Sequence, residues 1–283
     1  MKTFGVLTIL LIIAVSQVQA QGLVIKSKQN QEATTDYPVG CGSNDFMKHL
    51  DSKISGYYDF ANESMMEIVK NSSTKNFSKS VDSIFVIPVV FHIVYNNSFE
   101  NIPDSVIQNQ ITVFNNSYRR MNSDTTNLRP IFQNIVGDAK IEFVLAQTDP
   151  EGNPTTGIIR VNGSGTCAGG NCYENYGIAS SGALEYAVKN LSIWPNQQYY
   201  NIWVVSEIDG NDGAFAGTQA YAYMAFSQPV DLDGTVILYN AFGTTGTLKS
   251  ETDLNKILAH EVGHAFNLFH TFQGDCSGSC CPL

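Results

Sequence analysis

The stretch His260-Glu261-Val262-Gly263-His264-Ala265-Phe266-Asn267-Leu268-Phe269-His270 decides how the rest of the chain is read. Before and within it, Ser250 or Thr252 offers a helix cap and Asp253 suits a first turn. Leu254, Ile257, Leu258, Val262, Ala265 and Phe266 are apolar around most of a helical circumference, which predicts a buried helix. Residues four apart share a helix face, so His260 and His264 present two imidazoles to one point, with Glu261 roughly 100 degrees round from His260. A continuing helix would aim His270 roughly 120 degrees away from His264. Asn267 supplies the stop, because after glycine asparagine most readily takes the left-handed backbone that ends a helix. The returning chain then delivers His270 as a third nitrogen.

Three neutral imidazoles predict a zinc ion with one tetrahedral position left for water, the pattern of a catalytic site rather than a closed structural one. Glu261 is then the general base, taking a proton from the attacking water and passing it to a leaving amine. The bland alternative leaves two imidazoles and a carboxylate on an apolar helix without partners, at a penalty of roughly several kcal/mol. It also leaves the offset of His270 unexplained. His49 and His92 fit no ligand spacing, and His92 is expected as a strand residue packed or solvated on one sheet face.

Upstream, Ile84-Phe85-Val86-Ile87-Pro88-Val89-Val90-Phe91-His92-Ile93-Val94-Tyr95 is a β-branched and aromatic run that predicts a buried central strand. Ser105 to Met121 has the spacing of an amphipathic helix, opened by Pro103-Asp104. Ile141 to Ala146 reads as a strand closed by the turn-rich 149–154, and a helix is expected over Gly182 to Asn190. Further strands are expected at Tyr200 to Val205, Ala220 to Phe226 (exposed) and Thr235 to Tyr239. A β-α-β unit followed by more strands predicts a mixed α/β sheet. From Gln21 to about Ser83 the sequence is polar, with one amphipathic helix expected from Asp45 through Val69, so a domain boundary falls just before Ile84.

The 283 residues are 43% hydrophobic and 15% charged, a globular composition, and the net charge of -10 gives no cationic surface for nucleic acid or an anionic membrane. Residues 1–20 read as a secretory signal peptide: Lys2, an apolar run from Val6 to Val15 too short to span a bilayer, and small residues at the end. No later window is apolar enough for a transmembrane anchor. Export makes disulfides the default for Cys41, Cys167, Cys172, Cys276, Cys280 and Cys281. Cys167 and Cys172 bracket a Gly-rich loop and are expected to close it. Adjacent Cys280 and Cys281 need separate partners.

HEVGHAFNLFH (260–270) and the segment Thr271-Phe272-Gln273-Gly274-Asp275-Cys276 resemble the metzincin metallopeptidases, and within them the pappalysin family. The similarity extends through IPVVFHIVYNN (87–97), QITVFNNSYRRMNSD (110–124), DPEGNPTTGIIR (149–160), YNIWVV (200–205) and DGTVILYNAFGTTG (233–246). The resemblance implies a mixed five-stranded sheet, backing helices and the zinc helix below, over residues 84–270. It implies a secreted zinc-dependent endopeptidase acting on proteins or peptides, with His260, His264 and His270 as ligands and Glu261 as base. No residues are assigned to calcium, and nothing specifies an oligomeric state. An extended substrate would lie along an edge strand, for which Ala220-Tyr221-Ala222-Tyr223 is the candidate; the same segment also reads as an ordinary solvent-facing strand.

Residues 21–83 resemble a propeptide, with Lys75 or Lys79 as places for the activating cut. Cys41 would hold the enzyme latent by setting its thiolate on the zinc, or else pair with a C-terminal cysteine. Metzincins carry a methionine-containing turn some tens of residues after the third histidine. This chain continues only through Leu283, so 271–283 is read as the start of a lower subdomain and the sequence as a fragment or a truncated product. An inactive metzincin-fold binding or adhesion protein is the rival expectation.

Overall fold

The computed structural model describes residues 40–41, isolated positions between 52 and 70, and 83–134, 136–180, 182–212, 217–224, 232–244 and 256–270. Strand β1 is Gly40–Cys41, β2 Phe85–Tyr95, β3 Ile141–Leu145, β4 Ile158–Asn162, β5 Cys167–Ala168 and β6 Asn171–Cys172. They are followed by β7 Tyr200–Val205, β8 Thr218–Ala222 and β9 Thr235–Leu238. The α-helices are α1 Asp104–Tyr118, α2 Tyr173–Tyr176, α3 Ala183–Lys189 and α4 Ile257–Ala265. Among the described residues no helix is long and apolar enough to cross a membrane.

β2, expected as the central strand, is instead an interior strand next to the edge, between β7 and the β3–β4 line; its β-branched run is buried as expected, with Val89, Phe91 and Ile93 fully buried. Its odd residues face one neighbour: the Phe85 N–H donates to the Lys140 carbonyl, the Phe91 N–H to that of Gly157, and the Val89 carbonyl accepts from Ala146. Pro88 therefore turns its missing N–H the other way. On that side the parallel register with β7 begins only at Val89, so no ladder bond is lost.

β3 and β4 lie end to end along the same edge of β2, pairing with Phe85–Val89 and then Phe91–Tyr95, while the intervening turn loops outward. Gly157 makes the rejoining possible. Its φ is 71°, and a Cβ there would meet the Ala146 nitrogen at 2.7 Å. The sheet order is β1-β8-β9-β7-β2-β3, with β4 also on β2; all pairs are parallel except β8 with β9. With β3 and β4 taken as one interrupted strand and β1 set apart, this is the mixed five-stranded arrangement that the family resemblance implies. β4 was not anticipated.

Helices cover both faces. α1 packs on β3, and α4 packs against β8, β9 and α1. α3 lies against the β5–β6 hairpin, which the Cys167–Cys172 disulfide closes as expected. The long helix expected from Asp45 to Val69 is corrected: the described positions there include a turn at Ser55-Gly56, where Gly56 has a φ of 82°. The expected cap of α4 at Ser250 or Thr252, the cuts at Lys75 or Lys79, and Cys276, Cys280 and Cys281 lie outside the described residues.

Candidate metal centre

α4 buries Leu258, Val262 and Ala265 against the sheet and α1. One cross-link fixes it: Tyr118 of α1 donates its hydroxyl to the Ala259 carbonyl at 3.1 Å. Glu261 and His264 face inward at 0% and 3% exposure, while His260 lies at the exposed rim.

The helix ends as its sequence predicts. Asn267 has a φ of 63°, its N–H bonds the His264 carbonyl at 2.8 Å, and the Leu268 N–H bonds the Gly263 carbonyl at 2.9 Å. This pair of bonds is a Schellman motif, which reverses the chain and satisfies two carbonyls the helix would leave open. The reversal returns His270 to the histidines of α4. The three Nε2 atoms form a near-equilateral triangle, with 3.1 Å from His260 to both His264 and His270 and 3.2 Å from His264 to His270.

Those distances test whether a metal fits. Nitrogens about 2.0–2.1 Å from a tetrahedral zinc lie roughly 3.3–3.4 Å apart, close to the triangle seen. Hydrogen bonding alone does not account for the geometry. The His264 Nδ1–H donates to the Leu268 carbonyl at 2.6 Å, which leaves Nε2 without a hydrogen of its own and its lone pair turned toward the other two Nε2 atoms. Burial, with the neighbouring His260 and His270 adding to it, pushes the His264 imidazole down to about 4 against the opposing pull of Leu268. Burial, then His270, also lowers His260. Neutral rings are the state a metal requires. A cleft of about 610 Å³ opens beside the triangle, lined by Tyr118, Asn122, Asp124, Lys256 and Leu268 among others.

The edge expected at Ala220-Tyr221-Ala222-Tyr223 is corrected in two respects. The strand is Thr218–Ala222, earlier than expected, and all four residues are buried rather than exposed. Its outer backbone groups are also not open in this chain, because β1 pairs with β8 in parallel, Gly40 opposite Thr218 and Cys41 opposite Ala220. Cys41 therefore lies in the sheet beside β8. His92 packs on the sheet, stacked on Trp203 at 5.2 Å and bonded to Asn201.

Sequence reading missed Tyr118 and the Leu268 carbonyl, and the buried pair Glu185 and Lys189 behind β8. The one-turn spacing of that pair in an apolar heptapeptide was the available signal.

The Peptidase_M43 family model, described as pregnancy-associated plasma protein-A, matches residues 184–281. An extracellular metalloprotease of Pyricularia oryzae is 42% identical over 82 residues, 28% of this chain and 26% of that protein. The chain thus spans about a quarter of the length of that relative. An extracellular metalloprotease of Arthroderma gypseum is 23% identical over 77% of this chain and 59% of its own length. Among solved structures, a promirolysin variant from Tannerella forsythia matches with a TM-score of 0.65 and 34% identity, covering 85% of this chain and 73% of that one. Mature mirolysin from the same organism, in complex with a cleaved peptide, matches with a TM-score of 0.55 and 38% identity over 70% of this chain and 68% of its own.

Proposed function

This chain belongs to the pappalysin family of metzincin metallopeptidases, and from that premise we propose that it is the precursor of a secreted zinc-dependent endopeptidase. The observation that carries the reading is the triangle of Nε2 atoms 3.1–3.2 Å apart with a buried carboxylate next in sequence. His260, His264 and His270 are the metal ligands. When bound, zinc supplies Lewis acidity toward a carbonyl oxygen and toward water.

Glu261 is the general base. It accepts a proton from the water that attacks the peptide carbonyl, and delivers that proton to the amine nitrogen as the C–N bond breaks. Its burial in a helix braced by Tyr118 keeps the carboxylate from wandering during the transfer. The Leu268 carbonyl holds the His264 ring in the tautomer that exposes Nε2. The substrate is an extended peptide bound by strand addition to β8. Residues 1–20 are the export signal and 21–83 a propeptide, removed by a cut near Lys75 or Lys79. In the uncut chain β1 fills the edge of β8, and Cys41 is the latency residue, its thiol competing for the metal.

The decisive experiment measures metal content and cleavage of casein or a quenched peptide. One zinc per chain and chelator-sensitive cleavage are expected. Glu261→Ala should retain the metal and lose about a thousandfold or more in turnover. Undiminished turnover in that variant removes Glu261 as the base, and absence of stoichiometric metal removes the whole reading.

A further inference from the structure

β8 and Tyr223, the residue just after it, carry small and large side chains in alternation. Successive side chains of a strand point to opposite faces, so Ala220 and Ala222 share one face and Tyr221 and Tyr223 the other. Both tyrosines are buried, and both donate to one carboxylate on α3: Tyr221 to Glu185 Oε1 at 2.8 Å and Tyr223 to Glu185 Oε2 at 2.6 Å. Lys189, one helical turn on, places Nζ 2.8 Å from Glu185 Oε1 and donates to the Leu232 carbonyl at 2.7 Å. The ammonium also lies 4.7 Å from the Trp203 and Tyr223 rings and 5.6 Å from that of Tyr221. Glu185 and Lys189 have no exposed surface.

Such a network is poorly explained as a source of stability. Replacing a buried ion pair by apolar groups is often neutral or stabilising, whereas fixing one arrangement of the surrounding chain is an attested use. What it fixes here is a strand that needs fixing. Among the described residues β8 and β9 form the one antiparallel pair of the main sheet, and they join through just Ala220, Tyr221 and Ala222. A peptide that adds to a sheet edge requires that edge to hold a regular register of N–H and C=O groups.

We infer that Glu185, braced by Lys189, is a positioning residue for extended-peptide binding: by anchoring Tyr221 and Tyr223 it sets the β8 edge along which the peptide pairs. This rests on β8 being the substrate edge, as proposed above.

Glu185→Ala, Tyr223→Phe and the double variant Glu185→Gln/Lys189→Met test it, with kinetics read on the protein after the propeptide is cut away, when β1 no longer occupies the β8 edge, and amide exchange read on the uncut chain. Glutamine accepts from one tyrosine and donates to the other, so the double variant keeps the anchor without the charges. Glu185→Ala and Tyr223→Phe should raise KM about tenfold for a peptide long enough to lie along β8. They should leave zinc content and kcat within about twofold, and leave KM unchanged for a short blocked substrate. Amide exchange at residues 218–222 and 40–41 should quicken in both, and the double variant should restore KM and exchange.

Equal KM effects on long and short peptides, a fall in kcat alone, or unchanged exchange overturns the inference. If Glu185→Ala does not fold, Tyr223→Phe and the double variant decide it. Exchange needs no catalysis, so a wild-type chain without zinc or cleavage would sink the peptidase reading while exchange in Tyr223→Phe still judges the anchor.

Discussion

His92 and His264 are both buried imidazoles pushed down to about 4, yet only His264 belongs to the candidate metal centre. The difference lies in which ring nitrogen carries the hydrogen. Asn201 accepts at Oδ1 from the Trp194 N–H and donates its amide to the Trp194 carbonyl, so the His92 Nε2 must be the donor toward Oδ1. Its Nδ1 faces a space with no hydrogen-bond partner among the described residues. In His264 the assignment is reversed, and the lone pair points at the shared centre. His92 also makes the fold acid-sensitive: its folded value lies below the 6.5 of an unfolded histidine, because burial outweighs the Asn201 bond. Its contribution is full above about pH 6.5 and drains away as the pH falls toward 4, by up to roughly 3 kcal/mol. Urea unfolding of wild type and His92→Phe between pH 7 and 4 should show a steeper loss in the wild type. Parallel curves would mean that His92 is not buried neutral.

At the scale of the element, α4 shows what spacing alone makes legible. The four-residue interval of His260 and His264, the need for a stop, and Asn267 as its agent are all local, and the Schellman bonds at Asn267 and Leu268 bear them out. Asn267→Gly should leave stability and metal affinity near wild type, because glycine takes the same backbone freely. Asn267→Val should cost about 1–2 kcal/mol in thermal or urea unfolding. It should also weaken zinc affinity about tenfold or more, since the same turn carries the Leu268 carbonyl and His270. Unchanged affinity in Asn267→Val would show that the turn does not hold the ligands. Strands β2, β7 and β9 were legible from their β-branched runs. β4 was not: Ile158-Ile159-Arg160-Val161-Asn162 mixes polar and apolar residues beside a turn, and only the length of β2 offers it a partner. The strand expected from Ala220 to Phe226 lies earlier because pairing, with β1 from Thr218 and with β9 over Ala220 to Ala222, rather than hydrophobicity, sets its limits.

At the scale of the whole molecule, the pairing of residues 40–41 with 218–220 joins two parts of the chain that no local pattern relates. Under the proposed function, the full chain is held latent through β1 and Cys41. Cys41→Ser, assayed on a quenched peptide before any processing, should raise basal cleavage at least several-fold, because a hydroxyl binds zinc far less well than a thiolate. Unchanged basal cleavage would remove Cys41 as the latency residue and leave a disulfide as its remaining reading. The sequence by itself determined the histidine triad, the helix that carries two of its members, the asparagine that returns the third and the core strands β2, β7 and β9, since each depends on the repeat of a helix or strand, or on a cap, over a few neighbouring residues. The tertiary structure alone decided that β3 and β4 share one edge, that Tyr118 braces α4, that Glu185 anchors β8, and that an early segment lies beside that strand. Those depend on which distant segments win each other's hydrogen bonds and buried surface, a competition settled only when the whole sheet is assembled.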